Sequence, residues 1–155
     1  MTHTDLVTRA ASWLRNSLHC GVVLTEPVAA FECPDAIGWV NGRTILVECK
    51  ASRSDFYADL RKPQRHPSSK GAMGNWRFYL APDGVVDPER MPDGWGLYVV
   101  RGRSVLHSFG QEYRNAVEGP FGSNEISERR ILISALRKAQ ALERSRATMN
   151  VCDTC

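Results

Sequence analysis

Residues 34–50 read PDAIGWVNGRTILVECK, and the fold turns on how this stretch pairs with itself. Asn41-Gly42 between two apolar runs is the strongest short-range hairpin signal, so residues 36–50 are expected as an antiparallel pair. Ile45, Leu46 and Val47 have the aliphatic, largely β-branched character of a buried strand, yet Glu48 and Lys50 follow within three positions. Side chains alternate along a strand, which puts Leu46, Glu48 and Lys50 on one face and Val47 and Cys49 on the other. Folding 36–40 back along 44–50 brings Asp35 to the same end. Two carboxylates and an ammonium are therefore expected together.

On the N-terminal side, Leu6, Ala10, Trp13, Leu14 and Leu18 recur every three or four residues. This spacing predicts an amphipathic helix over 5–18, with Thr4 as its N-cap, before a short strand near 22–24. On the C-terminal side, Ser52 with Asp55 three residues on is a capping-box pattern that opens a second helix, ended by Pro63. The polar QRHPSSKGAMGN at 64–75 reads as a mobile loop. Strands are expected at 76–80, 96–100 and 104–107. A last helix over about 125–146 would turn Ile126, Arg130, Ile133, Leu136, Ala139 and Leu142 inward. Trp13 and Trp76 fit core positions, while Trp39 is ambiguous.

The order of elements predicts one α/β or α+β domain over residues 1–155, with a mixed central sheet flanked by helices. Its αβββαβ core would span about 5–107, its C-terminal helix about 124–147, and a frayed tail 148–155. A hydrophobic content of 43% and a charged content of 24% are those of an ordinary globular protein and argue against disorder. No apolar run is long enough for a membrane span, and the N-terminus lacks the order of a signal peptide, so no membrane partner and a cytoplasmic location are expected. Five irregularly spaced cysteines point to free thiols. Cys152 and Cys155 form a C-x-x-C without the second ligand pair that structural zinc needs.

The net charge of +3 is unevenly spread. Lys50, Arg53, Arg61, Lys62, Arg65, Lys70 and Arg77 stand against only Asp55 and Asp59 between residues 50 and 77, whereas 83–93 carries four acids and one arginine. Basic charge directly after the anomalous strand is where a phosphate backbone would be held, although a solvated surface reads the same way. If the substrate is a nucleic acid, Arg53, Arg61, Lys62, Arg65, His66 and Lys70 are the expected contacts. For His66, a plain loop position is the competing reading.

Asp35 and Glu48 are hard oxygen ligands of the kind Mg²⁺ or Mn²⁺ takes one or two at a time, leaving positions for water and phosphate. The backbone carbonyl of Cys49 could complete the shell. Lys50 could then position the attacking water or offset charge on phosphorus. Asp55 is first a helix cap. Asp55 and Asp59, with Ser52, are also candidates for supporting Lys50.

Pro34-Asp35 followed by Glu48-Cys49-Lys50 resembles the signature of the PD-(D/E)XK nuclease superfamily. The longer string ECKASRSDFYADLRKP looks like the MmcB-like DNA-repair group and small uncharacterised phage proteins, and RFYLAPDGVV and MPDGWGLYVV extend the likeness over about residues 10–105. The resemblance implies a restriction-endonuclease-like fold, with Asp35 and Glu48 as metal ligands and Lys50 as the catalytic lysine. It also implies a further carboxylate near the first helix, for which Glu26 is the first candidate and Glu32 the second. The implied activity is metal-dependent hydrolysis of DNA in repair, replication or host conflict, in a phage or mobile-element context. RNA or a nucleotide remains open as substrate, and a homodimer through the last helix as assembly. The alternative from another class is a catalytically silent nuclease-fold module that binds nucleic acid or a host protein.

Overall fold

The computed structural model describes residues 1–28, 32–66, 69–115 and 118–152, with side chains to residue 146. Helix α1 (His3–Asn16) opens at Thr2, whose hydroxyl accepts from the Asp5 amide while the Asp5 carboxylate accepts from the Thr2 amide. This reciprocal box displaces the expected cap at Thr4, because Val7, three residues beyond Thr4, has no oxygen to return the bond. Strand β1 (Val22–Thr25) pairs antiparallel with β2 (Ala36–Val40), and β2 with β3 (Arg43–Cys49). Asn41 and Gly42 lie at φ 50° and 72°, the left-handed pair that a tight two-residue hairpin needs.

Helix α2 (Arg53–Asp59) and a 3-10 turn at Pro63–Arg65 carry the chain across to β4 (Trp76–Pro82), parallel to β3. A second 3-10 turn at Pro88–Arg90 precedes β5 (Gly96–Arg101), parallel to β4, and β6 (Ser104–Gly110) closes the sheet antiparallel to β5. The six strands stand in sheet order β1-β2-β3-β4-β5-β6, which is chain order. With helix α3 (Glu125–Cys152) this is one α+β domain built on a mixed sheet.

The alternation in β3 sorts the core into two layers. Val47 and Cys49 join Leu6, Ala10, Trp13 and Leu14 of α1 with Trp76, Phe78 and Leu80. Leu46 joins Phe56 of α2, Met73, Tyr79, Trp95 and Ile131 on the other face. Trp39 is half-buried against that second layer. Glu48 and Lys50, which share the parity of Leu46, are thereby directed to the α2 side.

Three expectations need correction. Helix α2 stops at Asp59, one turn before Pro63, which opens the 3-10 turn instead. The described part of 64–75 is not a loose polar loop: Arg65, Ala72, Met73 and Gly74 are buried, and the Phe121 and Asn124 amides donate to the carbonyls of Asn75 and Ala72. Helix α3 docks through Ser127, Glu128 and Ile131, leaving the predicted inner residues Ile126, Ile133, Leu136 and Leu142 exposed. The polar Glu128 is the anchor, accepting from the Thr44 hydroxyl at 2.7 Å, from the Gly74 amide at 3.1 Å and from the Ser123 hydroxyl. An apolar-periodicity reading passes over such a residue. The helical backbone also runs on to Cys152, through much of the predicted frayed tail, whereas Pro67, Ser68 and residues 153–155 lie outside the described residues. Among the described residues, no helix is long and apolar enough to cross a membrane.

Gly74 marks where this segment presses on the sheet. Its φ is +87°, and a Cβ there would stand 2.7 Å from Leu46 Cβ. Gly74→Ala is therefore expected to cost about 2 kcal/mol or more through strain and overpacking, seen as a lower urea midpoint at unchanged slope.

Candidate active site

One step beyond the Ala36–Val47 pair, the hairpin register sets Asp35 opposite Glu48. Asp35 Oδ2 accepts from the Cys49 amide at 2.7 Å, so the strand end itself fixes this carboxylate. Its other oxygen lies 3.4 Å from His3 Nε2 at the start of α1. Asp35 keeps 17% of its side chain exposed, whereas Glu48, Lys50 and Asp59 are closed off from solvent.

Lys50 Nζ lies 3.2 Å from Glu48 Oε2 and 3.2 Å from Asp59 Oδ1. Asp59 reaches it from the last turn of α2, the supporting position expected for this residue. Ser52 and Asp55 do less. Ser52 caps α2 by accepting from the Asp55 amide, and Asp55 accepts from the Ala51 amide, so neither is bonded to the Lys50 ammonium, although Asp55 adds to the negative field around it.

The residue that sequence reasoning misplaced is Arg65. Only 4% exposed, it is a buried hub and not a surface phosphate contact. Its guanidinium holds Asp59 through Nε at 2.5 Å, Glu32 at 2.9 Å and Glu48 Oε2 at 3.0 Å, and stacks 4.9 Å from the Trp95 ring. The planar fork of arginine serves three carboxylates where a lysine could not. Glu32, the second candidate for the extra acid, thus joins the site, with its other oxygen accepting from the Met73 amide at 2.8 Å. Glu26, the first candidate, does not: it is 67% exposed and 3.8 Å from His3 Nε2. No local signal set Glu32 above Glu26, because Arg65, which holds it, reads in the sequence as part of a basic surface. Arg53, Arg61, Lys62, His66 and Lys70 are exposed, with Lys62 reaching back to Asp59 at 2.8 Å.

The field of this cluster explains its protonation. Burial pushes the Asp35 carboxyl up to about 6 and the charge on Glu48 adds to the rise, against the pull of the Cys49 amide, Lys50 and His3. Burial would lower Lys50, but Glu48 and Asp59 outweigh it and hold the ammonium above its ordinary value. Burial would likewise raise Asp59, yet the hydrogen bonds and charge of Arg65, with Lys50, hold it below the usual carboxylate range. Burial raises Glu32. Lys50 is thus favoured as a cation and set up as a hydrogen-bond donor.

Whether the site suits a divalent ion rests on its oxygen atoms. Among the described residues, no group of three or more His, Cys, Asp and Glu side chains is arranged to hold a metal ion. Asp35 and Glu48 are a pair, the number Mg²⁺ commonly takes from protein. Glu48 Oε1 is buried without a hydrogen-bond partner, and burial together with the charge on Glu48 makes Asp35 protonation-prone. An orphaned carboxylate oxygen beside a second carboxylate fits a cation.

No family model matches the chain, and no curated protein matches it. Among solved structures, it is similar to a protein of unknown function from Silicibacter pomeroyi, with a TM-score of 0.61 and 22% identity over 94% of each chain. That likeness supports the fold alone.

Proposed function

We propose that this chain is a divalent-metal-dependent nuclease that hydrolyses DNA phosphodiester bonds, with Asp35 and Glu48 as metal ligands and Lys50 as the catalytic lysine. The observation that carries the reading is the orphaned Glu48 oxygen beside Asp35, next to a lysine kept cationic by its neighbours. Mg²⁺ or Mn²⁺, when bound, would acidify water and offset charge on the phosphate. The chain's own part is positional. The Cys49 amide orients Asp35, Arg65 and Lys50 fix one oxygen of Glu48, and the Lys50 ammonium supplies a donor for developing negative charge.

The test is a cleavage panel with Mg²⁺ and Mn²⁺ on single-stranded, duplex, supercoiled and branched DNA, with RNA beside them. Metal-dependent cutting that disappears in folded Lys50→Ala supports the reading. Cutting that survives the substitution, or no cutting of any substrate, overturns it.

One observation favours a second reading, a nuclease-fold module without turnover. Glu48, Lys50, Asp59 and Arg65 already neutralise one another in a nearly closed pit. DNA binding that persists in EDTA and is indifferent to Lys50→Ala would support that module.

A further inference from the structure

Between the turn leaving α2 and the turn at Pro88–Arg90 lies a cleft of about 520 Å³. This is within the range of roughly 300–1,000 Å³ typical of small-ligand sites. Arg61 and Lys62 stand on one wall and Arg90 on the other, and Asp93 is the one acid among the lining residues. Leu60, Met91 and Pro92 add half-buried apolar surface. Arg65 lines the cleft as well, and the same guanidinium holds Glu48 and Asp59. The cleft and the carboxylate pit therefore share a wall.

The chemistry of the two walls is complementary to a nucleotide. Arg61 takes no part in the ion pairs that neutralise the pit. Arg90 lies 3.6 Å from Asp87, a long pairing at an exposed site that an incoming phosphate can replace. The apolar residues give a base or sugar a dry surface, which an isolated phosphate would not need. A stacked duplex presents only its backbone to a cleft of this kind, whereas a single strand can turn a base into it.

We propose that this cleft binds one nucleotide of single-stranded DNA, its phosphate between Arg61 and Arg90 and its base against Leu60, Met91 and Pro92. The inference deepens the nuclease reading and rests on it for the direction of the strand, which leads past Arg65 to Asp35 and Glu48. It assigns a function to Arg90, Met91 and Pro92, which lie in the acidic stretch of the sequence, outside the basic segment.

The experiment is fluorescence anisotropy of labelled octathymidylate and of a duplex of equal length, in EDTA at low salt. The full chain is compared with Arg61→Glu, Arg90→Glu and Met91→Ala, each checked for an unchanged melting curve below the transition. Single strand is expected to bind at least about tenfold more tightly than duplex, and each charge reversal to weaken it about tenfold, the loss of one charge-assisted contact. Met91→Ala should weaken it a few-fold. Equal binding of duplex, or indifference to both reversals, overturns the proposal. Cleavage of the same oligonucleotide with Mg²⁺ separates the two readings. Binding as described without cleavage removes the nuclease and leaves the cleft, and cleavage indifferent to Arg61→Glu and Arg90→Glu does the reverse.

Discussion

Arg65→Ala is expected to unfold the protein more readily by about 3–5 kcal/mol, the usual cost of removing one partner from a buried ion cluster. Arg65 is the cation shared by Glu32, Glu48 and Asp59. Without it, Glu48 and Asp59 face Lys50 and the edge cation Lys62, Glu32 is left with the Met73 amide, and the Tyr79 hydroxyl, which donates to Asp59 at 2.9 Å, stands against an unbalanced charge. Arg65→Lys should recover only part of the loss, because one ammonium cannot reach three partners in the geometry of the fork. Urea unfolding at pH 7 measures both. A loss below about 1 kcal/mol for Arg65→Ala would mean that the cluster does not organise this side of the sheet.

The second large effect separates activity from folding. Asp35→Asn is expected to lower cleavage about a hundredfold to a thousandfold, the scale seen when one preorganised electrostatic group at a reacting centre is removed. The same change should stabilise the metal-free protein above pH 6. The folded carboxyl titrates near 6 against an ordinary value of 3.8, so the native state holds the proton more tightly than the unfolded chain. Stability from that proton is complete below about pH 4 and is lost as pH rises through 6. Neutral asparagine escapes the cost of burying a charge and the repulsion from Glu48, for a gain of about 1–2 kcal/mol at pH 7–8. Thermal melts of both proteins in EDTA from pH 4 to 8 should converge at the acidic end. Mg²⁺ should raise the wild-type midpoint and leave Asp35→Asn unmoved. Retained cleavage in Asp35→Asn would sink the assignment of this carboxylate.

Much of this site was legible because strand alternation is a strong constraint. Once Asn41-Gly42 fixed the hairpin, Glu48 and Lys50 had to share a face and Asp35 had to return to them, as the register from Ala36–Val47 to Val40–Arg43 shows. The six strands and the three helices followed from periodicity and turn residues in the same way. Arg65 and Glu32 were not legible in this sense. Local sequence around Arg65 is that of a hydrated loop, and only the convergence of residues 32, 48 and 59 in space makes burial of a guanidinium tolerable. The buried face of helix α3, though not the helix itself, was misread for the complementary reason. Its apolar residues promised an inner face, but the docking force comes from Glu128 satisfying Thr44, Ser123 and Gly74, which no hydrophobic spacing encodes.

The agreement between strand order and chain order bears on how the molecule assembles. Each pairing in the sheet joins neighbours along the chain, and β2–β3 and β5–β6 close through tight turns, at 41–42 and 102–103, at little entropic expense. The one long excursion within the core is 50–75, which must wrap α2 and seat Arg65 before β4 can lie along β3. The hairpins are thus the natural nucleus, and the charged pit condenses late. Substitutions in 36–49 should slow refolding, whereas those at Arg65 or Asp59 should chiefly hasten unfolding. A carboxylate cluster completed last is also the part of the molecule able to open without losing the sheet, which gives the Asp35–Glu48 end a looser kinetic hold than the scaffold that carries it.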